Sequence, residues 1–246
     1  MNVIPRDQHS ISRKNISDSA LKVMSRLRNK GYQAYLVGGA VRDLLLGGHP
    51  KDFDIATDAT PEAVHGLFRN SRIIGRRFRI VHVRFGREII EVTTFRGHHD
   101  SGDDESAEQG GNHSRQSASG LLLRDNVYGT LAEDAVRRDL TVNALYYDSG
   151  KFELFDHVQG LEDLQQRSIR IIGEPSVRFR EDPVRMLRVL RFAAKLDFTI
   201  EAATAAAIPG CAKLLGEIPA ARLFDEFLKL FLSGYAAATL ELLLQH

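Results

Sequence analysis

The spacing of hydrophobic residues predicts alternating helices and strands early in the chain and helices in its last part. Leu21, Met24 and Leu27 recur at helical spacing after Ser17, which fits an N-cap, and Gly31 fits the end of that helix. Two apolar-rich runs within 77–95, joined across 85–87, are the clearest hairpin signal. Further strands are predicted at 32–37, 52–57 and within 146–160, and further helices at 40–47, 60–70 and 129–139 and from Asp182 almost to the end.

These elements predict an α+β fold in two parts. Residues 1–16 are assigned to an N-terminal extension, 17–166 to a mixed head with a small sheet and flanking helices, and 167–246 to an all-helical part. Residues 100–120 are polar, rich in Gly and Ser and nearly free of apolar side chains, so a flexible loop is expected there. The last helix ends with an apolar face and neither cap nor breaker, which favours a C-terminal part missing from this sequence.

Composition excludes several classes of protein. A single cysteine, Cys211, rules out a disulfide framework and makes a zinc ribbon implausible. No apolar run approaches the roughly 20 residues of a membrane span, and no signal-peptide pattern opens the chain, so a soluble cytoplasmic protein is expected. The net charge is only +1, but eight arginines and two acids lie between Arg69 and Arg96, a local excess suited to phosphates.

Three carboxylates are candidate metal ligands. Asp52 and Asp54 alternate along one short predicted strand, so they project to the same side, roughly 7 Å apart at Cα. Like charges this close repel, and a divalent cation removes that repulsion because Mg²⁺ prefers a few carboxylates, with water and phosphate oxygens completing its octahedron. Glu91 is a third acid, in a neighbouring strand between apolar residues, and three such carboxylates would hold two metals for phosphoryl or nucleotidyl transfer.

A glycine pair adds a candidate phosphate site. Gly38 and Gly39 join a strand to a helix start, where bare backbone approaches phosphates closely and presents N–H groups to them. Arg42 lies one turn into the helix, placed for a triphosphate. The order strand, glycine pair, helix, turn and strand with D-x-D links this site to the carboxylates.

The motif LVGGAVRDLLLGGHPKDFDIAT (36–57) resembles the class II branch of the DNA polymerase beta-like nucleotidyltransferases, which holds CCA-adding enzymes and bacterial poly(A) polymerases. Similarity continues through RRDLTVNALYYD (137–148), the 155–173 region and EDPVRMLRVLRFAAKL (181–196), so it covers nearly the whole chain from Ser12. The arginine-rich block 72–99 and the segment 122–139 resemble the bacterial poly(A) polymerases in particular. The first part would then be a nucleotidyltransferase head and the second a helical neck with the start of a body.

The resemblance implies roles for further residues. Asp52 and Asp54 match the family's metal carboxylates, with Glu91 the matching strand acid. The RRD motif supplies Arg137, Arg138 and Asp139 around the nucleotide, Asp139 being counted with the catalytic acids. Asp182 and Arg185 match the pair that selects the base; helical periodicity puts Arg188 in the same arc of about 120°, and an i,i+3 salt bridge is the structural alternative. Arg76, Arg77 and Arg79 are expected to contact RNA or phosphate.

The expected activity is template-independent transfer of AMP from ATP to an RNA 3′ end, with Mg²⁺ as cofactor and Mn²⁺ as a substitute. ATP and the RNA 3′ end are the expected partners; the sequence names no protein partner. A CCA-adding enzyme would share this site and differ in nucleotide choice. An RNA-binding module without catalysis is disfavoured, because the chain keeps both aspartates, the glycine pair and Arg185.

Overall fold

A computed structural model describes residues 1–75, 79–97 and 127–246, and the backbone of 115–116 and 122–124. Arg76 and Arg77, both expected to contact RNA or phosphate, lie outside the described residues. So does the loop expected at 100–120, apart from the short strand at Arg115–Gln116.

Strands and helices follow in the order that the hydrophobic pattern predicts, with further short elements added along the chain. The strands are β1 Asn2–Ile4, β2 Ala34–Val37, β3 Asp54–Thr57, β4 Ser71–Ile74, β5 Ile80–Phe85, β6 Glu88–Thr94, β7 Arg115–Gln116, β8 Leu122–Arg124, β9 Leu145–Asp148, β10 Glu153–Asp156, β11 Ser168–Ile169 and β12 Thr199–Ile200. The helices are α1 Asp18–Arg28, α2 Gly39–Leu45, α3 Pro61–Leu67, α4 Leu131–Arg137, α5 Gly160–Gln165, α6 Pro175–Glu181, α7 Val184–Leu196, α8 Ala202–Cys211, α9 Ala220–Phe231 and α10 Ala236–Gln245. Short 3₁₀ turns occupy Arg6–Gln8, Arg13–Asn15, Thr141–Asn143 and Ala212–Glu217.

The chain divides into two compact units. The first contains the described residues of 1–116, 123–137 and 143–158, and the second those of 117–122, 138–142 and 159–246. The expected α+β class is confirmed. The RRD motif, residues 137–139, spans a boundary between the units.

An eight-stranded sheet organises the first unit, in the order β1-β10-β9-β2-β3-β6-β5-β4. The sheet is mixed, because β3 and β6 run parallel while the other neighbours run antiparallel. Side chains of one face are fully buried, and α1 and α3 pack against the sheet. This buried face includes Leu36, Ile55, Val81, Val83, Ile90 and Val92. The opposite face is free to carry polar groups along β3 to β4.

Capping residues begin the helices where the sequence predicts them. The Ser17 hydroxyl accepts a hydrogen bond from the Ala20 N–H at 3.0 Å, and the Thr60 hydroxyl one from the Ala63 N–H at 3.2 Å. Thr130 and Glu133 form the expected capping box, with the Thr130 N–H donating to Glu133 Oε2 at 2.7 Å.

The second unit is built around α7. Its buried residues pack against α6, α9 and α10, and the strands β11 and β12 form a short parallel pair beside it. The expectation of an all-helical second part is therefore wrong in this detail. It is also helical from Pro175, earlier than predicted.

Three predicted boundaries need correction. Strand β3 begins at Asp54, so Asp52 lies in the approach to the strand rather than in it. Residues assigned to an N-terminal extension include β1, which pairs with the edge of β10 through its backbone and so left little side-chain signal. The helix predicted to begin at Asp182 begins at Val184: Asp182 is extended, with φ −154° and ψ 92°, because Pro183 disfavours helical backbone in the residue before it.

No helix in the described part of the chain is by itself long and apolar enough to cross a membrane. The pair α9 and α10 would pass that test together by length and composition, with a bend of 117° at the break.

Candidate active site

A line of polar residues crosses the open face of the sheet. Asp54 in β3 is the register partner of Glu91 in β6, Glu91 of His82 in β5, and His82 of Arg72 in β4. Register partners in neighbouring strands point to the same face, so these four side chains form one row. The row explains why an acid stands between Ile90 and Val92, which point to the buried face.

Asp52 and Asp54 lie where this row meets the start of β3. Asp52 is exposed and Asp54 is half-buried, and both supply the hard carboxylate oxygens that Mg²⁺ prefers, with room left for water and phosphate ligands. This donor set fits a divalent cation.

The third carboxylate does not join them. Glu91 Oε1 lies 3.2 Å from Nε2 of its register partner His82, and the described residues contain no group of three or more metal-ligating side chains. No three-carboxylate group is therefore formed among the described residues, and the role of Glu91 as a metal ligand stays a prediction.

The glycine turn lies beside the aspartates. Val37, the last residue of β2, pairs with Asp54, so Gly38 and Gly39 follow at the same end of the sheet. Gly38 has φ 75° and ψ −141°, a conformation essentially confined to glycine. A Cβ on Gly39 would lie 3.4 Å from Nη2 of Arg42, an ordinary contact distance, so the guanidinium lies directly against the turn.

The buried side chain of Arg42 packs against the glycine turn. Its side chain is only 2% exposed; Nε and Nη2 donate to Asp43 Oδ1 at 2.8 and 2.6 Å, and Nη1 donates to Asn143 Oδ1 at 2.6 Å. A guanidinium held in this way positions the glycine turn more directly than it reaches a triphosphate. The sequence showed that Arg42 is one turn into the helix, but not that Asn143, 101 residues later, would cover it.

Asp139 of the RRD motif pairs with Arg188 in α7. Arg188 Nε donates to Asp139 Oδ2 at 2.5 Å, and the Leu140 N–H donates to Oδ1 at 2.8 Å. Burial alone would raise the pKa of Asp139, but the charge and hydrogen bond of Arg188, the Leu140 N–H and the charge of Arg185 together hold that pKa well below its usual range. The structure thus brings two predicted site residues together as an ion pair.

The other two RRD groups have different surroundings. Arg137 donates through Nη1 to the Gly97 carbonyl, and the Arg138 carbonyl accepts from Arg178 Nη2 at 2.7 Å.

Arg79, expected to contact phosphate, forms an ion pair of 2.5 Å with Glu62 of α3. Its charge is thus partly compensated within the fold.

Asp182 and Arg185 are held apart by separate partners. Arg185 Nη1 donates to Glu181 Oε2 at 2.7 Å and to the Arg178 carbonyl at 3.0 Å. Arg222 of α9 donates to Asp182 Oδ2 at 2.5 Å, while Asp182 Oδ1 is buried without a hydrogen-bond partner among the described residues. Sequence reasoning missed Arg222 because it is 40 residues away in another helix.

Two family models match parts of this chain. Residues 34–170 match a family model described as the Poly A polymerase head domain, and 197–246 match one described as the probable RNA and SrmB-binding site of polymerase A. The chain is 56% identical over 246 residues to poly(A) polymerase I of Salmonella typhimurium, covering 100% of this chain and 52% of that protein. It is 38% identical over 225 residues to the CCA-adding enzyme of Bacillus pumilus, covering 92% and 52%.

A solved structure shares the fold. The crystal structure of the Bacillus stearothermophilus CCA-adding enzyme in complex with CTP matches with a TM-score of 0.75 and 38% identity, over 91% of this chain and 50% of that one. The chain spans about half the length of the curated relatives that it matches. Because the head-domain model covers residues 34–170 of the 246, the chain belongs to the poly(A) polymerase head-domain family.

Proposed function

We propose that this chain carries the catalytic part of a polynucleotide adenylyltransferase, which adds AMP from ATP to RNA 3′ ends without a template. One observation carries the proposal: the pairing of Val37 with Asp54 sets the glycine turn beside the two aspartates. A phosphate-binding backbone next to paired carboxylates suits the transfer of a nucleotidyl group.

The chain's own residues divide the work. The turn at Gly38 and Gly39 binds the triphosphate through backbone N–H groups, and Arg42 keeps that turn in place. Asp52 and Asp54 would hold Mg²⁺, consistent with the divalent ions used by nucleotidyltransferases of this family. When bound, the metal supplies positive charge that favours an alkoxide nucleophile and a pyrophosphate leaving group.

The bond changes are those of an in-line displacement. The oxygen of the RNA 3′-hydroxyl bonds to the α-phosphorus of ATP, and the bond from that phosphorus to the bridging oxygen breaks. Pyrophosphate leaves with the bonding electrons, and the hydroxyl proton passes to solvent. Asp52 and Asp54 would orient the reacting groups, because they fix the position of the cation that compensates the negative charge of the phosphates.

Base choice is assigned to Asp182 and Arg185. The unpartnered Asp182 Oδ1 is an acceptor suited to an exocyclic amino group, and Arg185 supplies donors for ring acceptors. Adenine and cytosine both offer that pattern, so a CCA-adding enzyme is the second candidate. Identity of 56% to a poly(A) polymerase against 38% to a CCA-adding enzyme favours adenylate transfer.

A primer-extension gel tests the proposal. An oligo(A) primer at high concentration is incubated with the chain, Mg²⁺ and each nucleoside triphosphate in turn. Only ATP should give a ladder, Mn²⁺ should support it and EDTA should abolish it. Extension of a tRNA lacking its CCA end with CTP would identify the CCA-adding activity instead.

Substitution of the aspartates tests the assigned roles. Asp52→Asn and Asp54→Asn keep the side-chain shape and should each lower the rate by more than tenfold, or about 1.4 kcal/mol in the barrier. Asp18→Asn, at an exposed position of α1, is the matched control and should leave the rate unchanged. A rate above a tenth of wild type in either active-site variant would remove that residue from the metal site.

A further inference from the structure

A groove on the first unit remains outside the proposed chemistry. It has a volume of about 620 Å³ and is lined by Arg69, Arg72, His82, Arg84 and Ile89, together with Asn70, Ser71 and Gly86. We call it the arginine groove. The sequence places these arginines in the basic block between Arg69 and Arg96, and no motif assigns any of them to a site.

The groove continues the polar row of the active site. His82 and Arg72 are the third and fourth members of the row that begins at Asp54 and Glu91. Ile89 and Arg84 are register partners two residues along the same strands, so they share this face. Neighbouring strands are about 4.8 Å apart, which puts His82 roughly 10 Å and Arg72 roughly 14 Å from the Asp54 backbone.

Its charge is strongly one-sided. Among the described residues that line the groove, three carry a guanidinium and none carries a carboxylate. Arg84 Nε donates to the Gly86 carbonyl at 3.0 Å, which holds the side chain at the hairpin turn but does not neutralise it. Ile89 is 44% exposed and adds an apolar wall. Fixed cations beside an apolar surface suit a chain of phosphates carrying flat bases.

The groove also lies on the side of the aspartates away from the glycine turn. In the strand order, β2 with its glycine turn is on one side of β3, and β6, β5 and β4 are on the other. If the turn binds the triphosphate, as the proposed function requires, a second phosphate-bearing ligand must approach from elsewhere. The arginine groove faces that second approach.

We propose that the arginine groove binds the phosphodiester backbone of single-stranded RNA, a few nucleotides upstream of the 3′ end that Asp52 and Asp54 serve. This inference rests on the proposed function for the identity of the strand, but the binding itself needs neither ATP nor metal. The three arginines of the groove lie at different places along β4 and β5 and the segment before β4, and these strands are about 4.8 Å apart, so each guanidinium would meet a different phosphate of an extended strand.

The test is RNA binding by the complete 246-residue chain in EDTA, without ATP. Fluorescence anisotropy follows a labelled oligo(A) of about 15 nucleotides, titrated between about 50 and 200 mM salt. The variant is Arg69→Gln/Arg72→Gln. The control is Lys14→Gln/Arg87→Gln, which removes the same charge from exposed positions outside the groove.

The groove variant should bind roughly tenfold more weakly at the lowest salt, and the slope of log K against log salt should fall by about 1.4, or 0.7 for each lost phosphate contact. The control should keep the wild-type slope and lie close to the wild-type Kd. Equal losses in both variants, or no loss in the groove variant, would overturn the proposal. Absence of oligo(A) binding by the wild-type chain would overturn it too.

Two further arms separate the explanations. If polyglutamate displaces oligo(A) as effectively as unlabelled poly(A) does, the groove is a surface for an acidic protein and the RNA assignment is wrong. Primer extension is measured on the same variants. If the wild type extends the primer and the groove variant binds oligo(A) as tightly as the wild type, the groove proposal is wrong and the proposed function stands. If the groove variant binds oligo(A) more weakly but the wild type gives no extension, the proposed function is wrong and the groove proposal stands.

Discussion

Replacing Asp139 by asparagine should destabilise the second unit, because it removes the carboxylate charge that pairs with Arg188. The carboxylate accepts from Arg188 Nε at 2.5 Å and from the Leu140 N–H at 2.8 Å. Asparagine keeps an oxygen for the Leu140 N–H but cannot supply charge. The guanidinium would keep the Phe192 ring, 5.5 Å from its centroid, and the more distant charges of Glu226 and Asp182, but would lose its hydrogen-bonded carboxylate.

The size of the loss follows from how far the pair is from water. Breaking a buried ion pair by removing one partner costs about 3–5 kcal/mol, while an exposed pair contributes about 0–1 kcal/mol. Asp139 and Arg188 side chains are 14% and 33% exposed, between these limits but nearer the buried one for the carboxylate. We therefore expect Asp139→Asn to lower the free energy of unfolding by about 2–3 kcal/mol.

Urea unfolding followed by far-UV circular dichroism measures this loss, with Arg188→Gln and the double variant completing a thermodynamic cycle. The coupling between the two positions should be about 1–2 kcal/mol. The pKa of Asp139 is held below its usual range, so the pair stabilises the fold fully above the unfolded pKa of about 3.9 and loses that contribution as pH falls towards the folded pKa.

The difference between wild type and Asp139→Asn should accordingly be constant from about pH 5 to 8 and shrink below about pH 4. A loss below about 0.5 kcal/mol at neutral pH, or a coupling indistinguishable from zero, would show that the ion pair does not hold the RRD motif. A loss just as large at pH 3 would show that packing rather than charge is responsible.

Two further variants probe the proposed nucleotide site. Arg185→Ala should lower the ratio of kcat/KM for ATP to that for CTP by roughly ten- to a hundredfold. The free energy of unfolding should change little, since Glu181 would still pair with Arg178 at 2.8 Å. An unchanged ATP:CTP ratio would show that Arg185 only forms a structural ion pair. Gly38→Ala forces a φ of 75° with ψ −141° on a residue that has a Cβ. We therefore expect the free energy of unfolding to fall by about 1–3 kcal/mol. Calorimetry should also show weaker binding of ATP, ADP and CTP alike. Wild-type nucleotide affinity in Gly38→Ala would exclude the turn from the phosphate site.

Local features of the fold could be predicted from the sequence because they depend on residues that are neighbours along the chain. A hydroxyl three residues before a backbone N–H decides a helix start, which is why Ser17, Thr60 and Thr130 were predicted correctly. The hairpin of β5 and β6 and the strand running into Gly38 follow from short-range patterns in the same way. Where a local rule was applied incompletely, the predicted boundary was wrong: Pro183 keeps Asp182 extended, so α7 begins at Val184 rather than at Asp182.

What the sequence alone determined was therefore the family resemblance, the order of elements and the types of residue available for chemistry. Only the tertiary structure decided which of those residues meet. Asp54 and Glu91 become neighbours through a parallel pairing across 37 positions, Glu91 then turns to His82, and Arg42 is covered by Asn143. A charged side chain takes the partner that the folded backbone brings nearest, because an unpaired charge away from water is costly, and spacing along the chain carries no record of that distance.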